Sequence, residues 1–258
     1  MLGYCKYPIV QVRLANNHRS EIVTQMLFNE TYQITQKDEN EEWYYVTLND
    51  DSYQGWIDAK LHSSLETKNS LTTTATHITT EVCKIKSQET SMYLPAGCTL
   101  NMHENHQLFI EDVCYTLNGI VKKIYSLPFD ANMVLALAKT YLGTPYMWGG
   151  KTHFGIDCSG FVQQVFKIAG ISIARDAYAQ AAYGKTIDSI DTILPGDLAF
   201  FKNKEDKIVH VGIIADDNEI IHAHGEVRID ILDEKGIFNK KKLKYSHELS
   251  IIKRIIEL

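Results

Sequence analysis

The sequence predicts two kinds of fold in one chain: small all-β barrels in the first half, then an α+β domain with helices packed on an antiparallel sheet. Three observations carry this expectation. Up to about Leu127-Pro128, short runs of β-branched and aromatic residues alternate with turn residues. Directly afterwards, apolar residues recur with the helical period. Beyond residue 197 the pattern turns to strand-like alternation, and helices followed by strands mark an α+β domain.

Thr31-Tyr32-Gln33-Ile34-Thr35, Trp43-Tyr44-Tyr45-Val46-Thr47 and Gln54-Gly55-Trp56-Ile57 are strands too short for an open sheet of any size, and such strands close into small barrels. Residues 1–62, ending in Tyr53-Gln54-Gly55-Trp56-Ile57-Asp58, form the first barrel. The polar run 68–80, rich in Thr and Ser, reads as a linker or entry strand, and residues 63–126 as a second barrel of weaker internal pattern. Residues 127–258 form the third domain. In it Met133, Leu135, Leu137, Ala138, Tyr141 and Leu142 can share one helical face. A second helix starts near Cys158, carries Phe161, Val162, Val165, Phe166 and Ile168, and meets a stop at Gly170. Strands are expected over 197–201, 209–215 and 219–222.

Of the 258 residues, 45% are hydrophobic and 22% charged, enough to bury a core without covalent staples. The net charge of -6 argues against a general nucleic-acid binder. No stretch reaches the roughly 20 apolar residues that span a bilayer, and the opening residues show no apolar run behind a basic segment. A cytoplasmic monomer with no membrane partner is expected, the alternative being an exported chain whose signal has been removed. The five cysteines, Cys5, Cys83, Cys98, Cys114 and Cys158, include no CxxC pair, so neither a metal nor another cofactor is expected.

The densest chemical signal is Leu-Gly-Thr-Pro-Tyr-Met-Trp-Gly-Gly-Lys followed by Phe-Gly-Ile-Asp-Cys-Ser-Gly-Phe, within residues 142–161. Pro145, Gly149, Gly150 and Gly155 keep the stretch in loop conformations and deliver Cys158 to a helix start. Free amides and partial positive charge there favour a thiolate and can hold an oxyanion, which predicts a lowered cysteine pKa. A buried helical cysteine that merely packs is the competing reading of its position. His210 begins one strand and His222 lies on the next, and a tight turn at Asp216-Asp217-Asn218 could set them side by side. A thiol, a base and a group orienting that base form a triad. His224 competes for the third role, and His153 could line the site. Asp157 reads equally as a helix cap.

These pieces stand in the order found in one family. Pro145-Tyr146-Met147-Trp148-Gly149-Gly150, Asp157-Cys158-Ser159-Gly160-Phe161, Arg175-Asp176, Pro195-Gly196-Asp197-Leu198-Ala199-Phe200-Phe201, His210-Val211-Gly212-Ile213 and Ile221-His222-Ala223 resemble the NlpC-type papain-like cysteine peptidases of bacteria. The segment from Ser20 to Glu30 and the Tyr53-Gln54-Gly55-Trp56 turn resemble the SH3-type barrels fused to a subset of them, the γ-D-glutamyl-L-diamino acid endopeptidases called dipeptidyl-peptidase VI. The resemblance implies a papain-like α+β catalytic domain behind SH3-like barrels. It implies Cys158 as nucleophile, His210 as base and His222 as orienting residue. The implied partner is a murein peptide, L-Ala-γ-D-Glu-diamino acid, cut after D-Glu and presenting a free L-Ala amine. Tyr146, Asp157, Ser159 and Asp176 are the candidate substrate-binding residues of the catalytic half; Tyr53 and Glu21 are those of the first barrel, which is expected to close one end of the cleft. Ala177 stands where several relatives have serine. Another thiol amidase or acyltransferase, or a secreted wall hydrolase using its barrels for wall binding, are the alternatives.

Overall fold

The computed structural model describes residues 1–65, 76–110, 113–124, 130–216 and 218–255. Residues 68–75 of the expected linker, the change of rhythm at Leu127-Pro128 and Asp217 of the expected turn lie outside them. The chain divides into two compact units, Met1–Ser126 and Leu127–Leu258. Among the described residues, no helix is long and apolar enough to cross a membrane.

The first unit is all β. Strands β1 (Leu2–Tyr4), β2 (Ile9–Arg13), β3 (Ile22–Leu27), β4 (Thr31–Lys37), β5 (Trp43–Leu48) and β6 (Gln54–Asp58) form one antiparallel sheet in the order β1-β4-β5-β6-β2-β3. Alternate residues point inward, as the period of two requires, and bury Val10, Val12, Met26, Tyr32, Val46, Leu48 and Ile57. Gly55 permits the curl: a Cβ there would lie 2.6 Å from a Val12 methyl and 2.8 Å from the Arg13 carbonyl oxygen.

Strands β7 (His77–Thr79), β8 (Cys83–Lys86), β9 (Ser91–Leu94), β10 (Thr99–Leu100), β11 (Gln107–Ile110), β12 (Val113–Asn118) and β13 (Val121–Lys123) follow. They make a three-stranded sheet, β10-β7-β13, and a four-stranded one, β11-β12-β8-β9. The end of the expected linker is thus a ladder strand. Leu27 at the end of β3 and Phe28 just after it pack into one core with Cys83, Ile85, Leu94, Cys98, Leu100, Leu108 and Leu117, which ties the two parts of this unit together by shared apolar burial.

The second unit contains α1 (Ala131–Thr140), β14 (Lys151–Thr152), β15 (Gly155–Ile156), α2 (Cys158–Ala169), α3 (Ala177–Gln180), β16 (Lys185–Ile187), β17 (Leu198–Lys202), β18 (Ile208–Ile214), β19 (Glu219–His224), β20 (Glu226–Asp233), β21 (Gly236–Asn239) and β22 (Lys244–Arg254). The sheet runs β16-β22-β17-β18-β19-β20-β21, and β22 also pairs with β21, so strands β17 to β22 close on themselves. Closure removes exposed edges. Asp130 caps α1 by accepting the Met133 amide at 2.7 Å. The buried face of α1 is Val134, Leu135, Leu137 and Ala138. Leu142, expected on that face, is exposed in the turn that follows, because the helix ends at Thr140 and its period ends with it. Helix α2 is buried nearly all round and ends at Gly170, whose φ of 97° is the left-handed conformation a glycine cap supplies.

Candidate active site

Cys158 is the first residue of α2, buried at 6% exposure. The local chain explains why. Lys151–Thr152 and Gly155–Ile156 form a two-stranded ribbon, where loop alone was expected, and the ribbon leads directly into the helix. Asp157 caps α2: its Oδ1 accepts the Gly160 amide at 2.7 Å, and its Oδ2 accepts the Gly149 amide at 2.8 Å. Arg175 donates Nη1 to Oδ1 at 3.0 Å and Nη2 to Oδ2, and Nη1 also reaches the Ser159 hydroxyl at 2.9 Å. A Cβ at Gly160 would sit 2.3 Å from the Gly150 carbonyl oxygen, so only glycine lets the glycine-rich loop close over the helix start.

Three of the four candidate binding residues of this unit cluster at that start. Asp157 and Ser159 flank Cys158 in sequence and share Arg175. Tyr146 is half-buried, and its amide donates to the Gly225 carbonyl at 2.9 Å. Burial, then the charges of Cys158 and Asp157, hold its hydroxyl well above the usual phenol range. Asp176 is half-buried at the N-cap position of α3, where its side chain makes no capping bond. Gln180, which the sequence reading passed over, joins the two helix starts by donating to the carbonyls of Ser159 at 3.0 Å and Ala174 at 2.8 Å. Glu21 and Tyr53 belong to the first unit, Glu21 exposed and Tyr53 partly buried against that barrel's core.

The histidines are set by sheet register. Gly212 of β18 is directly opposite His222 of β19, so His210 lies diagonally from His222 on the same face. A Cβ at Gly212 would meet the His222 Cβ at 2.9 Å and Ile220 at 2.8 Å, so the glycine admits the close approach. His210 Nε2 and His222 Nδ1 are 2.9 Å apart, and His222 Nε2 is 3.2 Å from Asp230 Oδ2. Backbone hydrogen bonds from Val211 and Ser159 reach the Cys158 thiol, which places that thiol against the His210 strand. His247 of β22 stacks on His210, with ring centroids 4.0 Å apart. His224 is exposed and meets His247 edge to face at 4.9 Å. His153, which could line the site, stacks on Tyr141 at 3.7 Å, where the ribbon folds it back onto the end of α1.

The electrostatics correct one expectation. The Cys158 thiol is pushed up to about 12, by burial first and by the Asp157 charge second; the Val211 and Ser159 amides and Arg175 oppose this without prevailing. Burial first, then the neighbouring histidines, holds His210 well below the ordinary 6.5. At neutral pH Cys158 is therefore a thiol and His210 a neutral imidazole. The helix start alone does not make a thiolate, because desolvation of the charge outweighs one helix terminus.

Among the described residues, His210, His222 and His247 each offer a ring nitrogen, all within 4.8 Å of one another, a spacing that could hold a metal ion. The facing nitrogens of His210 and His222 are already hydrogen-bonded to each other, so the arrangement reads first as a histidine pair in which one ring orients the other.

Residues 143–245 match the NlpC/P60 family, and residues 12–60 match the bacterial dipeptidyl-peptidase Sh3 domain. A Bacillus subtilis protein named Gamma-D-glutamyl-L-lysine dipeptidyl-peptidase is 42% identical over 95 residues, 36% of this chain and 32% of that one. Dipeptidyl-peptidase 6 of Lysinibacillus sphaericus is 35% identical over 105 residues, 40% of this chain and 36% of that one. The matched region thus spans about a third of each of these relatives. A crystal structure of an NlpC/P60 family protein from Bacillus cereus shares the fold over 100% of both chains, with a TM-score of 0.85 at 18% identity.

Proposed function

The chain carries a domain of the NlpC/P60 cysteine peptidase family and a bacterial dipeptidyl-peptidase SH3 domain, and from that premise we propose that it hydrolyses the bond between γ-D-Glu and the L-diamino acid of small murein peptides with a free N-terminal L-Ala. The observation that carries the reading is the line of groups at the helix start: a buried thiol against the Val211 amide, then His210, then His222 at 2.9 Å. With Nε2 of His210 engaged by His222, its Nδ1 is left for the thiol.

The steps follow from this order. As Cys158 Sγ attacks the γ-carbonyl carbon of D-Glu, His210 takes the thiol proton, and the oxyanion is held by amides at the start of α2. Collapse of the tetrahedral adduct breaks the C–N bond. His210 returns the proton to the departing amine, leaving a thioester on Cys158. A water then gives a proton to His210 and attacks the thioester; collapse breaks the C–S bond, and His210 returns that proton to the departing sulfur, releasing L-Ala-γ-D-Glu and restoring the thiol.

The substrate ammonium faces Asp157 and Asp176 in this proposal, since burying it unpaired costs several kcal/mol. Ser159 and Tyr146 supply hydroxyls beside the same place. The names of the relatives support the γ-D-glutamyl bond as the one cut. The test is digestion of L-Ala-γ-D-Glu-L-Lys, its N-acetyl form and intact peptidoglycan, read by mass. Release of L-Ala-γ-D-Glu from the free peptide alone is expected. Equal rates on the acetylated peptide overturn the free-amine requirement, and efficient lysis of intact wall points to a wall hydrolase.

A further inference from the structure

Strand β20 contradicts its own hydrophobic pattern. In the run Arg228-Ile229-Asp230-Ile231, Ile229 is 36% exposed and Asp230 only 2% exposed. A strand that shows its isoleucine and hides its aspartate gives up apolar burial and desolvates a carboxylate, which local folding alone does not favour. The register gives the reason. His222 is opposite Arg228, so Asp230 is the diagonal neighbour of His222 on the same face. Its Oδ2 lies 3.2 Å from His222 Nε2. Arg228 grips the same carboxylate from outside, Nε to Oδ2 at 2.8 Å and Nη2 to Oδ1 at 3.0 Å.

We propose that Asp230, held by Arg228, is a positioning residue that sets the tautomers of both histidines and so makes His210 a base. This rests on the reading of Cys158 and His210 as nucleophile and base. An ionised carboxylate can only accept, so His222 must carry its proton on Nε2. Its Nδ1 is then an acceptor and takes the Nε2–H of His210. His210 Nδ1 is left with a lone pair toward the thiol. One carboxylate thus fixes three donor–acceptor choices in series. Burial works against ionisation of Asp230, but hydrogen bonds from His222 and Arg228 prevail and keep its pKa below the usual value. The other titratable or charged groups around this line are Tyr146, Asp157 and Arg175 near the thiol, His224 on β19, Arg228 on β20 and His247 on β22.

Asp230→Asn tests the claim, because the amide keeps the shape and can donate. Donation to His222 Nε2 reverses each choice and points an N–H of His210 at the thiol. We expect kcat to fall roughly 100-fold with KM within about threefold, the loss shrinking as pH rises and hydroxide replaces the missing base. Iodoacetamide alkylation of Cys158, a readout independent of the peptide, should slow in parallel near pH 7. A merely structural ion pair would lower stability and leave both profiles in place. Asp230→Asn with kcat within about threefold of the parent, or an unchanged pH profile, overturns the proposal. Should this variant fold poorly, Arg228→Gln keeps the carboxylate and loosens it; a smaller loss of kcat with the same pH trend is expected, and none overturns the claim. A parent that alkylates with this Asp230 dependence yet does not cut the peptide would sink the proposed substrate and leave the positioning role of Asp230 standing.

Discussion

Arg175 and Asp157 form a buried two-pronged ion pair, with side-chain exposures of 2% and 8%, directly behind the nucleophile's helix start. The pair shapes the loop that presents Cys158, because the same carboxylate also holds the amides of Gly149 and Gly160. Removing one partner of a buried pair leaves the other charge uncompensated. Arg175→Ala should therefore destabilise the fold by about 3 kcal/mol, the low end of the usual 3–5 for such a break, since the two amides remain. Urea unfolding monitored by circular dichroism checks this; a loss below about 1 kcal/mol would show that the amides alone satisfy Asp157.

Cys158→Ala should abolish turnover, by several orders of magnitude, while the unfolding midpoint stays near that of the parent. His210→Ala should cost nearly as much, because thiol and base act as a unit. His222→Ala should cost less, since it orients His210 without touching the substrate. Steady-state rates on L-Ala-γ-D-Glu-L-Lys decide the order. A harmless His222→Ala beside a damaging His224→Ala would move the orienting role to His224, against the 2.9 Å contact.

The pH dependence follows from two shifts. His210 accepts a proton only when neutral, and burial holds its pKa well below 6.5. Acidification must therefore go below pH 6.5 before the base is lost, so the acid limb of kcat/KM should fall below that value. Cys158 at about 12 remains a thiol through neutral pH. The ultraviolet absorbance of a thiolate, read as parent minus Cys158→Ala, should therefore stay near zero across pH 6 to 9. A constant thiolate signal through neutral pH would reveal a preformed thiolate–imidazolium pair.

Gly212→Ala probes the sheet contact itself. The new methyl would lie 2.8 Å from Ile220 and 2.9 Å from His222, and β19 must shift to admit it. Overpacking of this kind costs about 1–3 kcal/mol, and it moves His222 off His210. The expected result is a lower unfolding midpoint together with at least a tenfold fall in kcat. A variant with parental kcat would show that the two histidines tolerate displacement.

The sequence by itself determined the two kinds of fold, the helix that starts at Cys158, its glycine stop at Gly170 and the strands bearing His210 and His222. Each of these is local: a period, a cap or a turn residue declares it within a few positions. It carried the face of α1 two residues past the helix end, to Leu142, because a period shows a face but not its end. It missed Asp230, because an Arg-Ile-Asp-Ile run reads as a strand with its charges in water, and only the register against β19 turns that face inward. It misjudged the thiol, because a helix start is visible in sequence while the burial that outweighs it is not. His247 lies far along the chain, on a strand whose pairing with β17 and β21 brings it onto His210. Desolvation and diagonal cross-strand contacts depend on which strands become neighbours, and only the tertiary structure decided that.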